Sequence, residues 1–137
     1  MREQTTHSAA ETEAAGADLG RRLRPGDVVL LTGELGAGKT TFVRGVARGA
    51  GSAAAVASPT FQLVRIYPGR VQLAHVDLYR IESDSELAGL GLDELAEEGA
   101  VLVEWGERLD VLGAAHVDFQ HLGAERRLLR VIRDLSH

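Results

Sequence analysis

Val28-Val29-Leu30-Leu31-Thr32-Gly33-Glu34-Leu35-Gly36-Ala37-Gly38-Lys39-Thr40-Thr41 is the stretch that decides how this chain folds. Residues 28–31 form a continuous apolar run, β-branched at its start. A run that short without alternation reads as a strand buried on both faces. Residues 33–40 then match G-x-x-x-x-G-K-[ST] at every fixed position. The spacing follows from phosphate chemistry. Glycines let the backbone curl so that successive N–H groups of Gly33, Glu34, Leu35, Gly36, Ala37 and Gly38 point into one concavity. A helix starting near Thr40 adds unsatisfied N–H groups and the positive end of its dipole. Lys39 reaches the outer phosphates, and the Thr40 hydroxyl suits a magnesium ion. A nucleoside triphosphate with Mg2+ is the expected ligand, with ATP the expected nucleotide.

Outward from that loop, residues 9–23 are rich in Ala, Glu and Arg and read as a helix, stopped by Arg24-Pro25-Gly26-Asp27. The helix after the loop runs from residue 40 to about 49. Residues 61–67 and 71–76 read as two strands around the turn Pro68-Gly69. Two short helices are expected over 83–90 and 92–98, the first capped by Ser83 or Asp84. A short strand over 101–103 and a hairpin of 117–121 with 127–132 around Gly123 complete the chain. Strand followed by helix implies an α/β sheet with helices on both faces. The two hairpins predict a sheet that is mixed but mostly parallel, in a three-layer phosphate-loop NTPase fold. Residues 1–8 read as disordered and 9–137 as one domain.

Open α/β sheets bind ligands beyond the carboxyl ends of their strands. Two apolar runs end there in a carboxylate: Leu73-Ala74-His75-Val76 at Asp77, and Val101-Leu102-Val103 at Glu104. Burying a carboxylate is costly unless it is paired or faces a cation. Each could approach the magnesium, directly or through water, or orient the attacking water. The plain alternative for each is a partly exposed or salt-bridged acid. Trp105, the only tryptophan, is either a core residue or a wall of the site or a partner contact. Ser58 and Thr60 lie in an irregular stretch where a hydroxyl could sense the γ-phosphate, although a simple turn explains them equally well. The histidines at 7, 75, 116, 121 and 137 lack metal-ligand spacing and read as scattered surface or strand residues.

Composition narrows the class. A length of 137 residues, 45% hydrophobic and 26% charged, suits one ordinary globular domain. No apolar run approaches the roughly 20 residues of a membrane span. The first ten residues lack an apolar signal core, and cysteine is absent, so a cytoplasmic setting is expected. A net charge of −5 argues against a free-standing nucleic-acid binder. The clusters Arg21, Arg22, Arg24 and Arg126, Arg127, Arg130, Arg133 read first as solvated faces. All 15 basic residues are arginine except Lys39. A compact ammonium kept at one position fits a tight phosphate site better than the wide guanidinium fork would.

Taken in order, the motifs resemble the bacterial TsaE (YjeE) ATPases, over residues 9–132. The landmarks are Pro25-Gly26-Asp27, the loop from Gly33 to Thr41, Ser58-Pro59-Thr60-Phe61, His75-Val76-Asp77-Leu78-Tyr79-Arg80 and Glu104-Trp105-Gly106-Glu107. The loop is shared by many families; the last three in this order are specific. The resemblance implies a slow ATPase that supports threonylcarbamoyladenosine modification of tRNA. It implies docking on the transferring protein pair, the TsaD and TsaB homologues, with tRNA met only through that complex. It also implies that Thr40 or Thr41, Asp77 and Glu104 are magnesium and catalytic positions, with Glu104 favoured for the metal and Asp77 for catalysis or support. Ser58 and Thr60 would belong to a switch-like loop, and Trp105 to the family's tryptophan position.

Other readings are weaker. A small-molecule kinase needs an acceptor pocket and a basic lid, yet Arg48 is the only basic residue between Gly45 and Pro59. A guanine-reading GTPase needs a lysine-containing motif that one lysine and no asparagine cannot form. A nucleotide-dependent scaffold with negligible hydrolysis is the alternative from another class.

Overall fold

The computed structural model of the chain describes residues 2–33, 38–53, 64–78, 81–105, 111 and 113–137. Its elements are β1 (Arg2–Thr6), α1 (Ala9–Arg22), β2 (Val28–Gly33), α2 (Lys39–Gly49), β3 (Val64–Tyr67), β4 (Leu73–Asp77), α3 (Asp84–Ala88), α4 (Leu92–Glu98), β5 (Ala100–Glu104), β6 (Ala115–Gly123) and β7 (Arg126–Arg133). The strands form one seven-stranded sheet in the order β1-β7-β6-β2-β5-β4-β3. β2 pairs in parallel with β5 and β6, and β4 with β5. The β1–β7, β6–β7 and β3–β4 pairs are antiparallel. Only β3 and β7 therefore run against the other strands, so the sheet is mixed but mostly of one direction.

β2 lies in the middle of the sheet, and its apolar run is divided between two cores. Val29 and Leu31 face α1 and α2, where they pack with Leu19, Phe42, Val43 and Val46. Leu30 faces the other way with Val76, Val101 and Val103, under Leu87, Leu92 and Leu95 from the α3–α4 region. Helices thus cover both faces, giving three layers. Among the described residues no helix is long and apolar enough to cross a membrane.

α1 and α2 approach at backbone distance. Gly16 and Gly20 on α1, and Gly45 and Gly49 on α2, each recur at a four-residue spacing that puts them on one helix face. A Cβ on any of them would overlap a carbonyl oxygen of the other helix: Phe42, Val46, Glu13 and Ala17 respectively.

The N-terminus departs from expectation. Arg2–Thr6 are not disordered; they pair with β7, Arg2 opposite Val131 through Thr6 opposite Arg127. Its first four residues are exposed, so no apolar alternation announces the strand. Three contacts hold it. The Thr6 and Thr12 hydroxyls meet at 2.6 Å in the interior. Asp134 reaches Arg2 at 3.4 Å and Arg22 at 3.2 Å. Ser8 Oγ caps α1 by accepting from the N–H of Glu11 at 3.1 Å. Burial works to raise the Asp134 carboxyl, but the Leu135 N–H and the Arg22 and Arg2 guanidinium groups outweigh it and hold the group below its usual range. Several arginines expected on a plain solvated face thus have partners, as Arg130 has in Glu3 at 3.7 Å.

Candidate functional site

β2 ends at Gly33, whose φ of 128° is a left-handed conformation suited to glycine. The chain re-enters the description at Gly38, which precedes α2 with φ 94° and caps it with no side-chain hydrogen bond. The N–H groups at that helix start are therefore not taken up by a capping side chain. Glu34, Leu35, Gly36 and Ala37 lie outside the described residues, as do Ser58 and Thr60.

Lys39 is only 5% exposed, an unusual position for an ammonium. Its Nζ donates to the carbonyl of Gly33 at 2.9 Å. The Trp105 ring covers it, with Nζ 3.9 Å from the centroid. A carbonyl and an aromatic face both stabilise a cation. Thr40 and Thr41, in the first turn of the same helix, are half-buried.

The two strand-end carboxylates converge on this end of the sheet. Asp77 and Glu104 are direct partners across β4 and β5, and Glu104 is the partner of Leu31 on β2. Strand alternation puts Glu104 on the same face as Leu102, and Asp77 on the same face as Leu73; both leucines belong to the core beneath α2. Both acids thus point toward the layer from which Lys39 and Thr40 come. Glu104 is 4% exposed and Asp77 is half-buried. Among the described residues no three metal-ligating side chains cluster.

Three residues gain meaning only in three dimensions. His75 is fully buried two residues before Asp77, its Nε2 at 2.6 Å from Glu104 Oε2. This strand histidine is a neighbour of the site, where the sequence alone suggested nothing beyond a scattered residue. Arg127 on β7 lies against Gly38; a Cβ there would come within 3.3 Å of its Nε. On the opposite face of β2, Thr32 Oγ1 donates to Asp118 and lies 2.8 Å from His116 Nε2. That cluster ties the residue before Gly33 to β6.

Trp105 carries a φ of 61°, a left-handed conformation that a bulky side chain adopts at a cost of about 1–3 kcal/mol. In that conformation the ring lies against Lys39. A phosphate group that drew Nζ away from Gly33 would alter the surroundings of the ring. The emission of this only tryptophan is therefore expected to change as nucleotide saturates the protein, and not to change in Lys39→Ala. A flat titration with demonstrable binding would show that ring and ammonium act independently.

Comparison with known proteins identifies the family and the fold. The family described as "Threonylcarbamoyl adenosine biosynthesis protein TsaE" matches residues 6–130. The relative from Treponema pallidum described as "tRNA threonylcarbamoyladenosine biosynthesis protein TsaE" is 43% identical over 105 residues, which are 76% of this chain and 78% of the relative. Relatives with the same description from Streptomyces coelicolor and Bacillus subtilis are 47% and 44% identical, covering 66% and 77% of this chain and 66% of each relative. The crystal structure of Bacillus subtilis YdiB superposes with a TM-score of 0.75 at 32% identity, covering 93% of this chain and 82% of that one.

Proposed function

The chain belongs to the TsaE family of tRNA threonylcarbamoyladenosine biosynthesis proteins, and from that premise we propose that it is the pathway's Mg2+-dependent ATPase, slow alone and working with its partners. The observation that carries this reading is the buried Lys39 ammonium at the start of α2, faced by Asp77 and Glu104 at adjacent strand ends. The ammonium, a threonine hydroxyl and two carboxylates are the donors that a triphosphate with a hard cation requires.

The residues divide the work. The backbone from Gly33 to Gly38 and the start of α2 hold the phosphates, and Lys39 leaves the Gly33 carbonyl to pair with them. The hydroxyl of Thr40, with Thr41 beside it, and the carboxylate of Glu104 form the cation's protein side, Asp77 being the other candidate. Asp77, half-buried and beside Glu104, accepts a proton from or orients the attacking water. Mg2+, when bound, neutralises charge that develops on the phosphate oxygens. Trp105 walls the site and excludes water from Lys39. Ser58 and Thr60 complete the switch-like loop of this reading.

The partners in this reading are the TsaD and TsaB homologues, the cytoplasmic pair that transfers the threonylcarbamoyl group, and tRNA is met through them. The decisive measurement is ATP hydrolysis with Mg2+, with and without that pair, using Lys39→Ala as the blank. Slow turnover that rises with the pair is the expected result. Turnover indifferent to the pair would refute the partnership and turn attention to small-molecule phosphoryl acceptors.

A further inference from the structure

We propose that His75 is a positioning residue for Glu104: its Nε2–H fixes one carboxylate oxygen, Oε2, and so leaves Oε1 aimed at the cation. This rests on the proposed role of Glu104 as a ligand.

Three observations carry it. The contact is 2.6 Å long and lies inside the protein, with His75 fully buried and Glu104 nearly so. The pair is built across two strands, since His75 is opposite Leu102 and Glu104 is opposite Asp77 in the β4–β5 register. His75 also occupies a position where the fold asks for an apolar residue. Leu73 and Leu102 lie on the same face, and the Tyr67 ring stands 6.1 Å away. Replacing both members of a buried polar pair by apolar residues is often neutral for stability, so packing alone does not call for the pair.

The tautomer follows from donor counting. An ionised carboxylate only accepts, so Nε2 must carry the hydrogen. Nδ1 has no hydrogen-bond partner among the described residues. A bare acceptor nitrogen is tolerated there more readily than an orphaned N–H donor. The neutral Nε2–H ring therefore matches both ends of the side chain. Side chains that orient a metal ligand in this way contribute about 10- to 100-fold in metal affinity or activity.

The test compares His75→Leu, His75→Gln and Glu104→Gln with the unaltered protein. Glutamine can present an amide N–H near the place of Nε2, whereas leucine fills space without donating. Nucleotide affinity is read from Trp105 emission with excess Mg2+ and with a chelator, and hydrolysis is followed in parallel. Mg2+ is expected to tighten binding in the unaltered protein. His75→Leu should lose most of that gain and about 10- to 100-fold in kcat. Its affinity in chelator should stay unchanged, and it should still melt cooperatively, though at lower temperature because Glu104 loses a buried donor. His75→Gln should recover the gain, and Glu104→Gln should abolish it. If Glu104→Gln loses the Mg2+ gain while His75→Leu keeps it, Glu104 is a ligand but His75 does not position it, and the proposal falls alone. If Glu104→Gln keeps the gain, the ligand role of Glu104 falls and takes the proposal with it. Equal losses in the leucine and glutamine variants would reduce His75 to a packing residue.

Discussion

Lys39→Ala is expected to abolish nucleotide-dependent activity and to weaken ATP binding by roughly 30-fold to several thousand-fold. The magnitude follows from truncating one member of a buried, hydrogen-bonded charge contact, which costs about 2–5 kcal/mol, at about 1.4 kcal/mol per factor of ten. In the structure the ammonium donates to the Gly33 carbonyl at 2.9 Å and lies 3.9 Å from the centroid of the Trp105 ring. The fold should survive, because the side chain belongs to neither apolar cluster. Lys39→Arg is expected to fail as well. The planar fork is wider than the ammonium and cannot take its place between Gly33 and the Trp105 ring. Isothermal titration with ATP and Mg2+, alongside thermal melting, separates the two effects. Wild-type affinity in Lys39→Ala would overturn the assignment of the phosphate site.

Gly45→Ala is expected to be the most damaging small change in the chain, lowering stability by about 4 kcal/mol or more or preventing folding. The new methyl would overlap the carbonyl oxygen of Glu13, which is backbone and has no rotamer to yield. Alanine's better helix propensity returns only about 1 kcal/mol. To admit the methyl, α1 and α2 must separate, and Leu19, Phe42, Val43 and Val46 would lose contact across the layer. Against a total stability of about 5–15 kcal/mol, that loss is large. Gly89→Ala is the control: its φ of −72° is ordinary and the nearest atom to an added Cβ is 3.5 Å away. It should melt within about 0.5 kcal/mol of the unaltered protein. A Gly45→Ala variant that melts normally would mean that the helices do not meet as described.

The same glycines show where sequence reading stops. The loop motif, the apolar run before it and the helix after it were legible because each is a local pattern with a local cause. The glycines at 16, 20, 45 and 49 were not, since inside one helix a glycine only weakens it, and the reason for it lies on the other helix. β1 was missed for a related reason. Arg2, Glu3, Gln4 and Thr5 are all exposed, so nothing alternates, and the pairing with β7 supplies the strand. The strand-end positions of Asp77 and Glu104 were legible because an acid after an apolar run is conspicuous. The meaning of His75 was not, because it depends on the β4–β5 register. Trp105 reads equally as core or site wall, and in the structure it packs against the second apolar cluster while its ring also lies 3.9 Å from Lys39 Nζ. The arginine clusters lie on the surface, as expected, and there Arg22, Arg130 and Arg127 find Asp134, Glu3 and the carbonyl of Ala124.

The small, polar β1 also has a bearing on how the protein is handled. It occupies the flank of β7, whose backbone N–H and C=O groups would otherwise face water over much of the strand. Charged side chains such as Arg2 and Glu3 make the resulting sheet edge a poor template for strand addition. Trimming the first residues as dispensable would bare β7, with half-exposed Ile132 upon it, for pairing with another copy. Removing residues 2–6 is therefore expected to promote self-association, readable as a concentration-dependent shift in size-exclusion elution.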